Sequence, residues 1–196
     1  METIRIAATT KFTSEMEKLR RTGFHNSSSE TSSSDEFDTL SIHVLAIIRD
    51  EIIGMIRLTL EPPSVLQTWS GWKAPIPHGE GVIDVTRGIV AKQWRGFDIY
   101  KLLMTETMIK AKALNAKIAV APIEPHFQHR TFLSHIGFQN VGEPLIFNHP
   151  PIGDTVGQCL VQRLQKDFGK VTEVRAKIIS GERMKNFRVV STIELR

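Results

Sequence analysis

Asp84-Val85-Thr86-Arg87 puts a carboxylate, a hydroxyl and a guanidinium within four residues of a strand-like run, Val82 to Ala91. Side chains alternate along an extended chain, so Asp84 and Thr86 are expected on one face and Val85 and Arg87 on the other. An aspartate near an arginine at a strand end is either a scaffold ion pair or acid–base equipment, and the residue types alone leave both open. Asp35 and Asp38 read as a solvated acidic turn or as a grip for a cation. His126 and His129 stand one helical turn apart, a spacing that can ligate zinc. Without cysteines or a second acidic ligand nearby they read as a surface pair, and no metal site is expected. The single cysteine, Cys159, reads as a small core residue.

The chain has 196 residues, of which 41% are apolar and 23% charged. That supports one folded domain and argues against disorder. No apolar run approaches the ~18 residues of a membrane helix, so no integral membrane segment is expected. The N-terminus lacks a basic region followed by an apolar core, and one cysteine suits a reducing, cytoplasmic setting. Residues 1–165 carry 17 Lys/Arg and 17 Asp/Glu, so the net charge of +4 lies wholly in residues 166–196, with 8 and 4. The expected organisation is therefore a domain over 1–165 and a basic extension over 166–196, reading as a surface for an acidic partner or as a solvated end. Nucleic acid is not expected, because the tail offers only two aromatics, Phe168 and Phe187, for base stacking.

Residues 26–34, nearly all serine and other polar types, read as a mobile loop. Ser14 to Arg21 reads as a helix with Ser14 and Glu17 as a capping box. Ile42–Ile48 and Ile52–Leu60 read as a hairpin turning at Asp50-Glu51, and residues 64–80 as a long connection bearing Trp69 and Trp72. Strand 82–91 leads through a turn into a helix with Ile99, Leu102, Leu103 and Ile109 on one face, with Asp98 as its N-cap. A strand over 118–121 closed by Pro122, a helix ended by Gly137, two strands, and a tail helix and strand complete the order. Strand–helix–strand implies a parallel pair and the hairpins antiparallel ones, so the sheet is mixed.

Two stretches carry a resemblance. Val90-Ala91-Lys92-Gln93-Trp94-Arg95-Gly96-Phe97-Asp98-Ile99-Tyr100 resembles the acyl-donor turn of the GNAT N-acyltransferase superfamily. Arg130-Thr131-Phe132-Leu133-Ser134-His135-Ile136-Gly137-Phe138 resembles its last helix and closing Gly-Phe. The turn's second and third glycines are Asp98 and Tyr100 here, and the usual tyrosine acid is Leu133. Leu19-Arg20-Arg21-Thr22-Gly23-Phe24, Asp35-Glu36-Phe37-Asp38, Gly54-Met55-Ile56-Arg57-Leu58-Thr59 and Asp84-Val85-Thr86-Arg87 are similar, in order, to motifs of a narrower branch. That branch comprises the autoinducer (acyl-homoserine-lactone) synthases and the long-chain N-acyl amino acid synthases.

The resemblance implies a mostly antiparallel mixed sheet, with a parallel pair splayed at the acyl-donor site and helices on both faces. It implies an N-acyltransferase that moves a fatty acyl group from acyl-carrier protein to the amine of a small amino-acid-like acceptor. The alternative is a GNAT enzyme using acyl-CoA. No cofactor is bound permanently, the donor being an acyl-phosphopantetheine. Glycines of the turn admit the pyrophosphate of CoA; an aspartate repels it, and a carrier-bound arm has none. Amide formation needs proton removal, oxyanion donors and a fork for an acceptor carboxylate. Asp84, Arg87 and Val90 are the implied catalytic residues, and Arg20, Phe24, Asp35, Asp38 and Arg57 the acceptor site. Ile89, Val90, Arg95, Gly96 and Arg130 are the implied donor site. Lys166, Lys170, Arg175 and Lys177 are the implied docking cations for the acidic carrier.

Overall fold

The computed structural model describes residues 1–23, 34–60, 80–124, 127–149 and 153–193. Residues 26–33 of the Ser-rich loop, Phe24, His126, Trp69 and Trp72 lie outside these residues. The strands are β1 (Glu2–Thr9), β2 (Ser41–Ile48), β3 (Glu51–Leu60), β4 (Val82–Val90), β5 (Ile118–Ile123), β6 (Gln139–His149), β7 (Gly153–Arg163) and β8 (Phe187–Ser191). The helices are α1 (Ser14–Gly23), α2 (Ile99–Ala113), α3 (Arg130–His135) and α4 (Leu164–Ile179).

One sheet carries all eight strands in the order β6-β7-β5-β4-β3-β2-β1-β8. β4/β5 and β1/β8 are parallel and the other pairs antiparallel. The mixed sheet with flanking helices is the expected one. Alternation sorts the strands' apolar residues onto two faces. Val44, Ile56, Leu58 and Val85 join Leu102 and Leu103 of α2 and Leu164 and Val171 of α4 in the main core. On the other face Leu45, Ile47, Met55 and Ile89 receive Met16 and Leu19 of α1.

Several boundaries move for local reasons. The β2–β3 turn is Arg49-Asp50, one residue earlier than expected, because both residues adopt positive φ (50° and 66°) as a two-residue hairpin requires. Helix α1 begins at Ser14, so Thr13 is the capping residue; its hydroxyl accepts from Met16 N–H at 3.4 Å. Strand β5 runs through Pro122, which pairs with Cys159 two residues past the last β4 contact. With a partner on one side only, the missing N–H is tolerated as it is on an edge.

Residues 166–196 supply most of α4 and all of β8, and β8 hydrogen-bonds along β1. The stitch is Glu106 of α2. Its buried carboxylate accepts from Arg175 Nε at 2.7 Å and from Ser191 Oγ at 2.8 Å. Of the expected docking cations, Arg175 is thus drawn into the fold, while Lys170 pairs with Asp167 and Lys177 with Glu173. Glu106→Ala strands Arg175 and Ser191, and should lower the unfolding free energy by about 2 kcal/mol, read from the urea midpoint.

Candidate active site

The α1 face of the sheet carries charge beside its apolar cluster. Asp35 precedes a 3-10 turn over Glu36–Leu40 and caps it. Its carboxylate accepts from Phe37 N–H at 3.0 Å, and Asp38 accepts from Asp35 N–H at 2.9 Å. This reciprocal box points both carboxylates at arginines from three other elements. Arg20 of α1 grips Asp38 with two bonds of 2.7 and 2.8 Å. Arg57 of β3 reaches Asp35 and Asp38 with Nη1, and Thr86 Oγ1 with Nε at 3.1 Å. Arg87 of β4 donates to Asp35 Oδ2 at 2.8 Å. Arg20 and Arg57 are fully buried and Asp38 nearly so, whereas the Asp35 side chain is 16% exposed.

Burial tends to raise the Asp38 carboxyl, but Arg20, the Asp35 N–H and Arg57 outweigh it and hold the pKa below the usual carboxylate range. Beneath Asp38 lies His43, whose Nε2 is 3.0 Å from the Asp38 carbonyl oxygen. Burial is the main force pushing its pKa down; the Asp38 carbonyl opposes that, and the nearby Arg20 and Arg57 charges add to it.

The expected alternation along β4 is corrected here. Thr86 pairs with Arg57 and Ile89 with Met55, so Ile56 alone faces Arg87 and Gly88. This is a β-bulge, with Arg87 at φ 55°. It reverses the phase of the strand, so Arg87 joins Asp84, Thr86 and Ile89 on the α1 face rather than Val85 on the other. Asp35 can therefore hold Arg57 and Arg87 together.

β4 and β5 pair only from Val82↔Ile118 to Asp84↔Val120. Beyond that the parallel strands part. Ala91 N–H donates to Ile53 O at 2.9 Å, toward β3. By alternation the N–H and C=O of Val90 point the other way, into the gap. Arg95 braces the turn beyond, donating from Nε to Val90 O at 3.1 Å and from Nη2 to Gly23 O at 3.2 Å.

A cavity of about 590 Å³ opens at this gap. Gly88, Ile89 and Val90 form one wall, Arg95, Gly96 and Asp98 the turn, and Tyr100, Phe127 and His129 the far side. The Tyr100 ring stacks on His129 with centroids 4.4 Å apart, and it lies where a side chain at Gly88 would be. Asp98 holds the N-cap position of α2, where its carbonyl accepts from Leu102 N–H at 2.9 Å, but at φ 59° its side chain makes no capping bond. Its carboxylate instead pairs with Lys101 at 2.8 Å and with Arg183, from the C-terminal segment, at 3.3 Å.

Solved structures share this architecture over most of the chain. A CoA-dependent acyl-homoserine lactone synthase, BjaI, with SAM and isopentyl-CoA, superposes with a TM-score of 0.68 at 14% identity, covering 99% of this chain and 95% of that one. ElaA of Escherichia coli gives 0.60 at 16% identity, with coverages of 82% and 99%. FeeM, an N-acyl amino acid synthase from uncultured soil microbes, gives 0.59 at 15%, with 86% and 96%. This is the GNAT fold. No protein-family model and no curated protein matches the sequence.

Within the GNAT fold the residues singled out from sequence divide into two groups. Arg20, Asp35, Asp38, Arg57 and Arg87 form the ion network, with Asp84 on the same face. Ile89, Val90, Arg95 and Gly96 line the cavity. Arg130 opens α3, bonds Asn140 Oδ1 at 3.0 Å, and is not part of the cavity wall. Sequence reasoning missed His43, Lys101, Arg183 and the Tyr100–His129 stack. The Asp35/Asp38 spacing signals its capping box and the Asp98/Lys101 spacing an i,i+3 pair, but no local pattern announces the contact of Arg183 with Asp98, 85 residues away.

Two outcomes follow. Asp38→Ala removes the two bonds that Asp38 accepts from Arg20 and the one it accepts from Arg57 inside a buried site, and should cost about 3–5 kcal/mol in urea unfolding. The depressed pKa values of His43, His129 and Asp38 mean that the unfolded chain binds more protons in acid. Stability should therefore begin to fall below the ordinary histidine value of 6.5, and fall again below the ordinary aspartate value of 3.8. His43→Gln should flatten part of the first decline in pH-dependent denaturation.

Proposed function

We propose that this protein is an N-acyltransferase that moves an acyl group from a phosphopantetheine thioester to the amine of a small acceptor. The parting of β4 from β5, with the Val90 N–H turned into the gap beside a cavity, carries the reading. A thioester carbonyl seated there has an N–H donor for its oxyanion. The acceptor amine approaches from the face that holds Asp84 and Asp35. Asp35, the more open of the two network carboxylates, orients it, while Arg20, Asp38 and Arg57 hold Asp35 and Arg87 in place. Asp84, directly or through a water, takes the ammonium proton. The neutral nitrogen attacks the carbonyl carbon and forms the C–N bond. Collapse of the tetrahedral species breaks the C–S bond, and the thiolate leaves on the pantetheine arm, taking up the second proton that nitrogen loses as the amide forms.

We read the donor as an acyl-carrier protein, because Asp98 and Tyr100 occupy places where glycine would open the turn to a pyrophosphate. The second reading, acyl-CoA, is favoured by the fold shared with BjaI, a CoA-dependent synthase. Carrier docking would use charges at the mouth of the cavity rather than Arg175, which Glu106 holds.

Cells overproducing the protein should accumulate an N-acyl amine detectable by mass spectrometry of lipid extracts. In assays with acyl-carrier protein and acyl-CoA offered separately, Asp84→Asn should lower kcat at least about 100-fold with a smaller change in KM. Full turnover by Asp84→Asn would remove Asp84 from the proton path, and an extract with no new acyl amine would overturn the function.

A further inference from the structure

Asp98 stands at the junction of two hollows. The donor cavity shares Asp98, Lys101, Gln128 and His129 with a second cavity of about 680 Å³ between α2, α3 and α4. A ligand confined to the first cavity ends at this divide. One that extends toward the second cavity crosses it. The divide itself is an ion trio, Lys101–Asp98–Arg183. Arg183 reaches it from the segment between α4 and β8, a placement reinforced by Phe187, which packs edge-on against Trp94 and Phe97 of the turn. The left-handed backbone at 98 suits glycine, asparagine or aspartate alike, so backbone geometry does not demand the carboxylate.

We propose that Asp98 sets donor selectivity. By holding Lys101 and Arg183 in an internal pairing, it lowers the attraction of this divide for polyanions, and so favours an arm ending in a single phosphate over one that continues into a nucleotide diphosphate. The inference rests on reading the cavity as the donor site. The trio carries one net positive charge, and removing the carboxylate makes it two. Attraction scales with the product of charges, so a diphosphate bearing a further phosphate gains more from that change than phosphopantetheine does. Asp98 therefore acts as a discriminator and takes no part in bond making.

Calorimetric titration of the full chain with CoA and, separately, with phosphopantetheine tests this. Asp98→Asn, which retains tolerance of the left-handed backbone, should tighten CoA binding at least about fivefold, and phosphopantetheine binding by less than half that factor. The CoA affinity of the variant should also fall more steeply with added salt. Arg183→Ala should weaken CoA binding in both backgrounds. Asp98→Gly serves as a second variant should asparagine disturb the turn. CoA binding that is unchanged or weakened in both Asp98 variants would overturn the proposal. Tighter CoA binding in a protein that acylates no amine would leave the selectivity argument standing and defeat the N-acyl transfer reading. Amide formation with unshifted affinities would do the reverse.

Discussion

Arg87 holds a left-handed backbone, a conformation that costs an L-residue about 1–2 kcal/mol. Its guanidinium is anchored to Asp35 from the far side of the chain, and that anchor is available only with the strand's phase reversed. Without the bulge, Arg87 would point into the apolar core shared by Val85, Leu58 and α2, where a charge is prohibitively costly. The ion pair and the bulge are therefore one interaction seen twice. It also sets the direction of everything after it on β4, including Ile89 under α1 and the Val90 N–H in the gap.

The ion network is better understood as a specification of geometry than as a source of stability. Buried pairs lose much of their Coulomb gain to desolvation, and a well-packed apolar substitute is often as stable. What the network supplies is convergence. Arg20 from α1, Arg57 from β3, Arg87 from β4 and the capping box of the 3-10 turn are four separate elements tied at two carboxylates. Each carboxylate oxygen is shared in a defined direction, so α1 and the turn cannot slide over the sheet. Apolar burial alone, being non-directional, would fix that position less sharply.

The C-terminal segment shows how charge counted along a chain misleads when its partners are distant. Residues 166–196 hold the whole net charge, yet Arg175 is consumed by Glu106 and Arg183 by Asp98, acids that the count assigned to the neutral part. The tail closes the sheet beside β1 and reaches back to the donor turn, so its basic character is partly internal bookkeeping of the fold.

Strand alternation, turn residues and apolar periodicity made the mixed sheet and its helices legible, because these are local properties repeated over several residues. The network's membership was legible in part as well, since Arg20, Asp35, Asp38, Arg57, Asp84 and Arg87 stand out by type in otherwise apolar or turn-forming stretches. Only the tertiary structure decided which of them meet. A bulge adds one residue to one strand and leaves no mark on composition, so the period of two assigned Arg87 to the wrong face. Asp98 had the composition of a helix cap and the position of a phosphate glycine; it takes the cap position in this fold, yet its carboxylate does not cap. Lys101 and Arg183 claim its carboxylate, and a pairing across 85 residues is fixed by how α4 and β8 pack, not by anything written near residue 98.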